Sequence, residues 1–257
     1  MDATTTETGP ANTNAALANL VVVLGDNKYY LGRRLSEWAV GAPGLESAVA
    51  CAAIAQEELG HTRALYSWLE DVPGAPAPLE RGDERERTYC VGFLLDSFPS
   101  WQCAVAALYL VDAAMTTVLE ALEGTADEAL RRRATRILGD EPIHRKYAQG
   151  RVREMGRGRE GQVLARWIEE LLPEILCWFG PPGEEGVETL RREGLLRLGN
   201  EELRQDFLAR IMPPLQEAAL ATSVEWDTTN ERWEYPKLPW STWNSLERRL
   251  TTSPASR

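Results

Sequence analysis

The chain contains two histidines, and each closes the same four-residue pattern: Glu58-Leu59-Gly60-His61 and Glu141-Pro142-Ile143-His144. Residues three apart share one face of a helix, so each pattern sets a carboxylate beside an imidazole. Glutamate is frequent, filling 29 of 257 positions, so one such pairing would carry little weight; both histidines sharing it carries much more. Four-helix bundles use this arrangement on facing helices to hold a carboxylate-bridged pair of iron or manganese ions. The spacing therefore predicts an all-α bundle with a dimetal, oxygen-activating site inside it.

Helical periodicity dominates, and no segment alternates with the period of two that marks a strand. A first helix is expected from Ala15 to Ala39, ended by Gly41-Ala42-Pro43-Gly44, and a second from Leu45 to Leu69. Pro73, Pro76, Pro78 and the charged run Glu80 to Arg87 mark a long crossover between two hairpins. A third helix is expected from Ser100, a cap after Pro99, to Leu122, and a fourth from Asp127 to Met155. Pro142 removes a hydrogen bond within the fourth and should bend it. Two more helices follow, near Gln162 to Phe179 and Asn200 to Thr222. The expected organisation is a disordered N-terminus over residues 1–14, a helical domain over 15–222 and a non-helical tail over 223–257. The tail carries Trp226, Trp233, Trp240 and Trp243; packing on the bundle or contact with a partner subunit would each use them.

Register supplies the remaining ligands. In an antiparallel hairpin, residues equally far from the turn face each other, so Glu58 should face positions 26 to 28 and Glu141 positions 109 to 112. The second window holds Asp112, the one acid between Asp96 and Glu120. An acid in so apolar a run costs several kcal/mol to bury unless it is paired or metal-bound, which makes Asp112 a candidate ligand. The first window offers Asp26 and Lys28, two residues and about 200° apart around a helix, so they cannot both face one metal.

Composition narrows the class. A 44% hydrophobic content suffices for a core, and a net charge of −11 disfavours nucleic acid or an anionic membrane as partner. No run of about 18 apolar residues and no basic-then-apolar leader is seen, which gives the expectation of a cytoplasmic protein. Cys51, Cys90, Cys103 and Cys177 lie too far apart for a zinc motif and are expected to be reduced. Arg131, Arg132, Arg133 and Arg136 form a local basic face, read as a solvated helix surface.

These residues also carry a family resemblance. Glu57-Glu58-Leu59-Gly60-His61, Leu110-Val111-Asp112-Ala113 and Asp140-Glu141-Pro142-Ile143-His144 resemble the catalytic subunits of the bacterial phenylacetyl-CoA epoxidase (ring 1,2-epoxidase) family of ferritin-like diiron proteins. Trp178-Phe179-Gly180-Pro181, the stretch from Asn200 to Phe207, and Trp226 with Asn230-Glu231-Arg232 extend the likeness without metal-binding content. The segment Leu31 to Trp38 is similar to the family's non-catalytic structural subunit. The resemblance implies a ferritin-like bundle with two irons, manganese being possible at one, bridged by Glu58 and Glu141. His61 and His144 would each bind one metal and Asp112 would be terminal; Glu58, Glu141 and Asp112 form the catalytic set. It also implies oxidation of an aromatic or acyl substrate on CoA or a carrier protein, a separate reductase as electron donor, and a sister subunit or homodimer. No Rossmann glycine fingerprint or cysteine cluster that could carry electrons internally is seen.

One position departs from the family. Lys28 stands where a catalytic subunit has its helix-one glutamate, with Asp26 as the neighbouring substitute. Three outcomes are open: a site short of one ligand, ligation by Asp26, or Lys28 neutralising the carboxylates with one metal weak or absent. The corresponding alternative function is a non-catalytic scaffold subunit of a multicomponent oxygenase. Iron storage is disfavoured because the chain extends well past four helices.

Overall fold

The computed structural model describes residues 10–77, 79 and 87–251. The first nine residues of the expected disordered terminus, the charged run from Glu80 apart from Arg87, and the last six residues of the tail lie outside them. The first hairpin is α1 (Pro10–Gly41) with α2 (Leu45–Leu69), and the second is α3 (Trp101–Leu122) with α4 (Glu128–Gly156). α1 also packs on α3, and α2 on α4. Two hairpins joined by a long crossover make the ferritin-like four-helix bundle that the resemblance implied.

The start of α3 follows the sequence expectation: Ser100 Oγ accepts the Cys103 N–H, and Asp127 caps α4 by accepting the Leu130 N–H. α1 begins at Pro10, so it takes in residues 10–14, which were expected to be disordered. Proline suits a first helical turn because its missing N–H would have no partner there. α4 runs through Pro142, which lies on the exposed side, so the lost hydrogen bond falls at solvent.

Twenty of the 22 residues of α3 are buried, all but Gln102 and Glu120. A helix apolar on every face must be surrounded, and α1, α4, α5 (Gly161–Trp178) and α7 (Asn200–Glu217) pack around this one. α3 is long and apolar enough to cross a membrane by composition, but 94% of its most apolar window is buried inside the protein. Cys51, Cys90, Cys103 and Cys177 are free and buried.

The sequence missed α6 (Glu185–Arg192), an eight-residue helix too short to show a period. α7 stops at Glu217, short of the expected Thr222, because Ala219 turns into the left-handed region at φ 53°. The tail is not wholly irregular. β1 (Glu225–Asp227) pairs antiparallel with β2 (Arg232–Glu234), setting Trp226 opposite Trp233, and β3 (Trp243–Asn244) pairs with β4 (Arg249–Leu250). Two or three residues per strand cannot display an alternation.

One buried cation fastens the tail to the helices. Arg204 of α7 has no exposed surface; it donates to the carbonyls of Leu176 and Gly180, to Glu201 and to the Tyr235 hydroxyl, and lies over the Trp240 ring. Truncating one partner of a buried charge network costs about 3–5 kcal/mol. Arg204→Ala should therefore lose about that much stability in urea unfolding, with Trp fluorescence reporting release of the tail; a loss below about 1 kcal/mol would show that the tail docks without it.

Candidate metal centre

Helix packing at two glycines brings the site together. Gly25, Lys28 and Gly32 recur at three- and four-residue spacing, on the α1 face toward α2. A Cβ on Gly25 would lie 2.5 Å from the Tyr66 ring, and one on Gly32 would lie 3.1 Å from the Ala55 carbonyl and 3.2 Å from Glu58 Cβ. The missing side chains let α1 approach α2 closely enough for Lys28 to reach Glu58. This is the register the hairpin argument placed opposite Glu58.

The Lys28 ammonium, fully buried, donates to Glu58 Oε1 at 3.1 Å, Glu58 Oε2 at 2.9 Å and Glu141 Oε1 at 2.9 Å. It lies between the two glutamates expected to bridge metals. Burial alone would lower its pKa, but Glu141, Glu58 and Asp112 together raise it well above the ordinary lysine value. Reciprocally, burial works against ionising Glu58, yet Lys28 and His144 pull its pKa down to about 2. Lys28 also lowers Glu141 against its desolvation.

On the other side of Glu141 a second set converges. His144 Nδ1 lies 3.2 Å from Glu58 Oε1, 3.5 Å from Asp112 Oδ1 and 3.8 Å from Glu141 Oε2. Glu58, Asp112, Glu141 and His144 are all buried, with one potential ligand atom from each within 4.8 Å of the others. His144 Nδ1 and Asp112 Oδ1 have no hydrogen-bond partner, and neither does His61 Nδ1. Burial and the charge of Glu141 hold Asp112 well above the usual carboxylate range, while burial opposes and Asp112 and Glu58 outweigh it in raising His144 to about 11.

The sequence-derived residues thus divide. Glu58, Asp112, Glu141 and His144 come together as expected. His61 flanks the ammonium side, its Nδ1 3.6 Å from Glu141 Oε1, and burial with the Lys28 charge lowers its pKa. Asp26, offered as a further ligand, is corrected: it accepts from the Tyr66 hydroxyl and the Tyr89 backbone N–H, each at 2.7 Å. Together with Asn27, which accepts from the Val91 N–H, it pins the end of the crossover to α1. The 200° separation from Lys28 sends it there.

Three contributors were not expected from the sequence. The outer nitrogens of the histidines are braced crosswise: His61 Nε2 meets Asp140 Oδ2 at 3.1 Å, and His144 Nε2 meets Glu57 Oε2 at 2.5 Å. Carboxylates behind a metal-binding imidazole fix its ring and raise its basicity. The acid doubled before each motif, Glu57-Glu58 and Asp140-Glu141, was the available signal. Thr116, one turn beyond Asp112, donates to Glu141 Oε2 at 3.1 Å. A cavity of about 10 Å³ adjoins Asp112, Thr116 and Glu141 below Tyr109, Arg145 and Arg210; that is room for about one water.

Inward nitrogen and oxygen atoms without partners, backed by outer carboxylates, fit a hard or borderline first-row cation. Lys28 lies at Glu141 Oε1, whereas His144 lies toward Glu141 Oε2.

Comparison with known proteins agrees with this architecture. Residues 1–248 match the family described as phenylacetic acid catabolic protein. The chain is 28% identical over 212 residues to a subunit of the 1,2-phenylacetyl-CoA epoxidase of Escherichia coli (strain K12), covering 79% of this chain and 82% of that one. Its fold matches a Synechococcus protein with aldehyde deformylating oxidase activity at a TM-score of 0.59 and 15% identity, over 83% of this chain and 93% of the other.

Removing Lys28 leaves two buried glutamates facing each other without a counter-ion, at a cost of about 3–5 kcal/mol. Lys28→Ala in the presence of a chelator should unfold at correspondingly lower urea concentration than the parent. Equal midpoints would show that the glutamates do not depend on the ammonium.

Proposed function

The chain belongs to the phenylacetic acid catabolic protein family, and on that premise we propose that it is a metal-binding component of a multicomponent oxygenase acting on an aromatic or acyl thioester. The supporting observation is the pair of buried atoms without partners, His144 Nδ1 and Asp112 Oδ1, with the His144 imidazole braced from behind by Glu57. Buried polar groups without partners are costly, and a cation among them removes that cost. Iron bound there would supply reductive activation of dioxygen, with electrons from a separate reductase. Glu58, Asp112, Glu141 and His144 would hold it. Thr116 orients Glu141 through its hydrogen bond, and the packed walls of α3 exclude bulk water from the centre.

The thioester assignment rests on the activity of the epoxidase relative and on one surface feature. A groove of about 610 Å³ lies beside α1 and α2, lined by Tyr29, Arg33, Arg63 and Tyr66. Two guanidinium groups suit the phosphates of a CoA-type carrier.

A second reading, the non-catalytic scaffold subunit, is favoured by two observations. Lys28 neutralises the glutamates without a metal, and the cavity at the centre holds about one water, far short of an acyl group. The epoxidase relative is itself a subunit, which is the setting a scaffold chain requires.

The two readings part in one experiment. The iron-loaded chain, supplied with a reductase and phenylacetyl-CoA, should consume dioxygen, and Glu141→Ala should lose the bound iron and reduce turnover at least about 100-fold. If the parent chain consumes no dioxygen, while both it and Glu141→Ala stabilise a co-expressed sister subunit equally, the scaffold reading replaces the catalytic one.

A further inference from the structure

The geometry points to a centre in which the Lys28 ammonium serves as one of the two cations, leaving a built site for a single divalent first-row metal ion. The inference rests on the metal-binding reading above and specifies its ion count. Glu141 splits its carboxylate between the two positions: Oε1 accepts from Lys28 at 2.9 Å, while Oε2 lies on the side of His144 and Asp112. Glu58 binds Lys28 through both oxygens and still offers Oε1 to the neighbourhood of His144 Nδ1 at 3.2 Å. The ammonium side is therefore filled, and the side formed by Asp112, His144 and the inner oxygens of Glu58 and Glu141 is open.

Two independent observations support a site on that side. His144 has no exposed surface and Asp112 is 2% exposed, and each directs an atom without a hydrogen-bond partner into the cluster. Formal charge agrees. With Asp112 ionised and the imidazoles neutral, as ligation requires, three carboxylates against one ammonium leave two negative charges, which one divalent ion cancels. A second divalent ion would have to share Glu58 Oε2 and Glu141 Oε1 with the Lys28 ammonium, at a like-charge cost that burial raises. A four-residue set of oxygen and imidazole donors selects iron, manganese or cobalt over thiophilic ions.

The two Glu-x-x-His motifs, symmetric in sequence, are thereby unequal in function. His144 ligates; His61, beside the ammonium, does not, and becomes a ligand when the cation at position 28 is exchanged for a carboxylate. Lys28→Glu restores a fourth carboxylate and with it the charge needed for a second ion.

Anaerobic titration of the full-length apoprotein with Co(II), followed by visible absorption and by metal analysis after desalting, tests this. The parent chain should bind one Co(II) per chain, and His144→Ala should weaken binding at least about 100-fold while His61→Ala changes it by less than about 3-fold. Lys28→Glu should bind two. Two ions in the parent chain, equal losses in the two histidine variants, or one ion in a folded Lys28→Glu variant would each overturn the lysine assignment while leaving metal binding intact. No Co(II) in parent protein of full helical content would overturn the metal-binding reading itself. If Lys28→Glu does not fold, the parent stoichiometry and the histidine pair decide alone.

Discussion

A buried lysine between two buried glutamates governs this molecule. Lys28 has no contact with solvent, and neither does Glu58; Glu141 is nearly as enclosed. In such a medium an unpaired charge costs several kcal/mol, so none of the three is tolerable without the others. Burial moves all three toward their neutral forms, and their mutual attraction reverses that for each. The helices are held in register by this requirement: α1 supplies the cation, α2 and α4 the anions. α3 supplies Asp112, which burial and the charge of Glu141 hold well above the usual carboxylate range.

The rest of the structure serves that centre. Gly25 and Gly32 let α1 approach α2, and Lys28 between them reaches the far glutamate, Glu141. Asp26 and Asn27 fix the end of the crossover, at Tyr89 and Val91, to α1. α5 and α7 enclose α3, with Arg204 tying Tyr235 of the tail to the Leu176–Gly180 corner. An ion introduced among these groups meets ligands whose positions are already determined by packing, which is the condition for a selective metal site.

Much of this was legible in the sequence, because the informative signals were local. Repeated Glu-x-x-His patterns, a turn of Gly41 to Gly44 and the isolated Asp112 gave the two hairpins, their register and four of the clustered residues. Register also placed Lys28 opposite Glu58. Its role stayed open among three outcomes, neutralisation of the carboxylates being one, since whether a lysine points into a cluster or out to solvent depends on how closely two helices pack, and that was decided by two glycines with no motif of their own. Asp26 illustrates the same limit: its acidity suggested a ligand, while its partners, a tyrosine 40 residues on and a backbone amide 63 residues on, are set by tertiary contacts. The cross-bracing by Glu57 and Asp140 was written in the doubled acids but required knowing which histidine faced which helix. α6 and the tail pairings were too short to leave a periodic trace.

The most direct test of a lysine acting as a resident cation is a crystal of the iron-soaked protein measured above and below the iron absorption edge. One anomalous peak is expected, ligated by Asp112, His144 and inner oxygens of Glu58 and Glu141, with the Lys28 ammonium still between the two glutamates. Two peaks flanking Glu141, with Lys28 displaced, would contradict it.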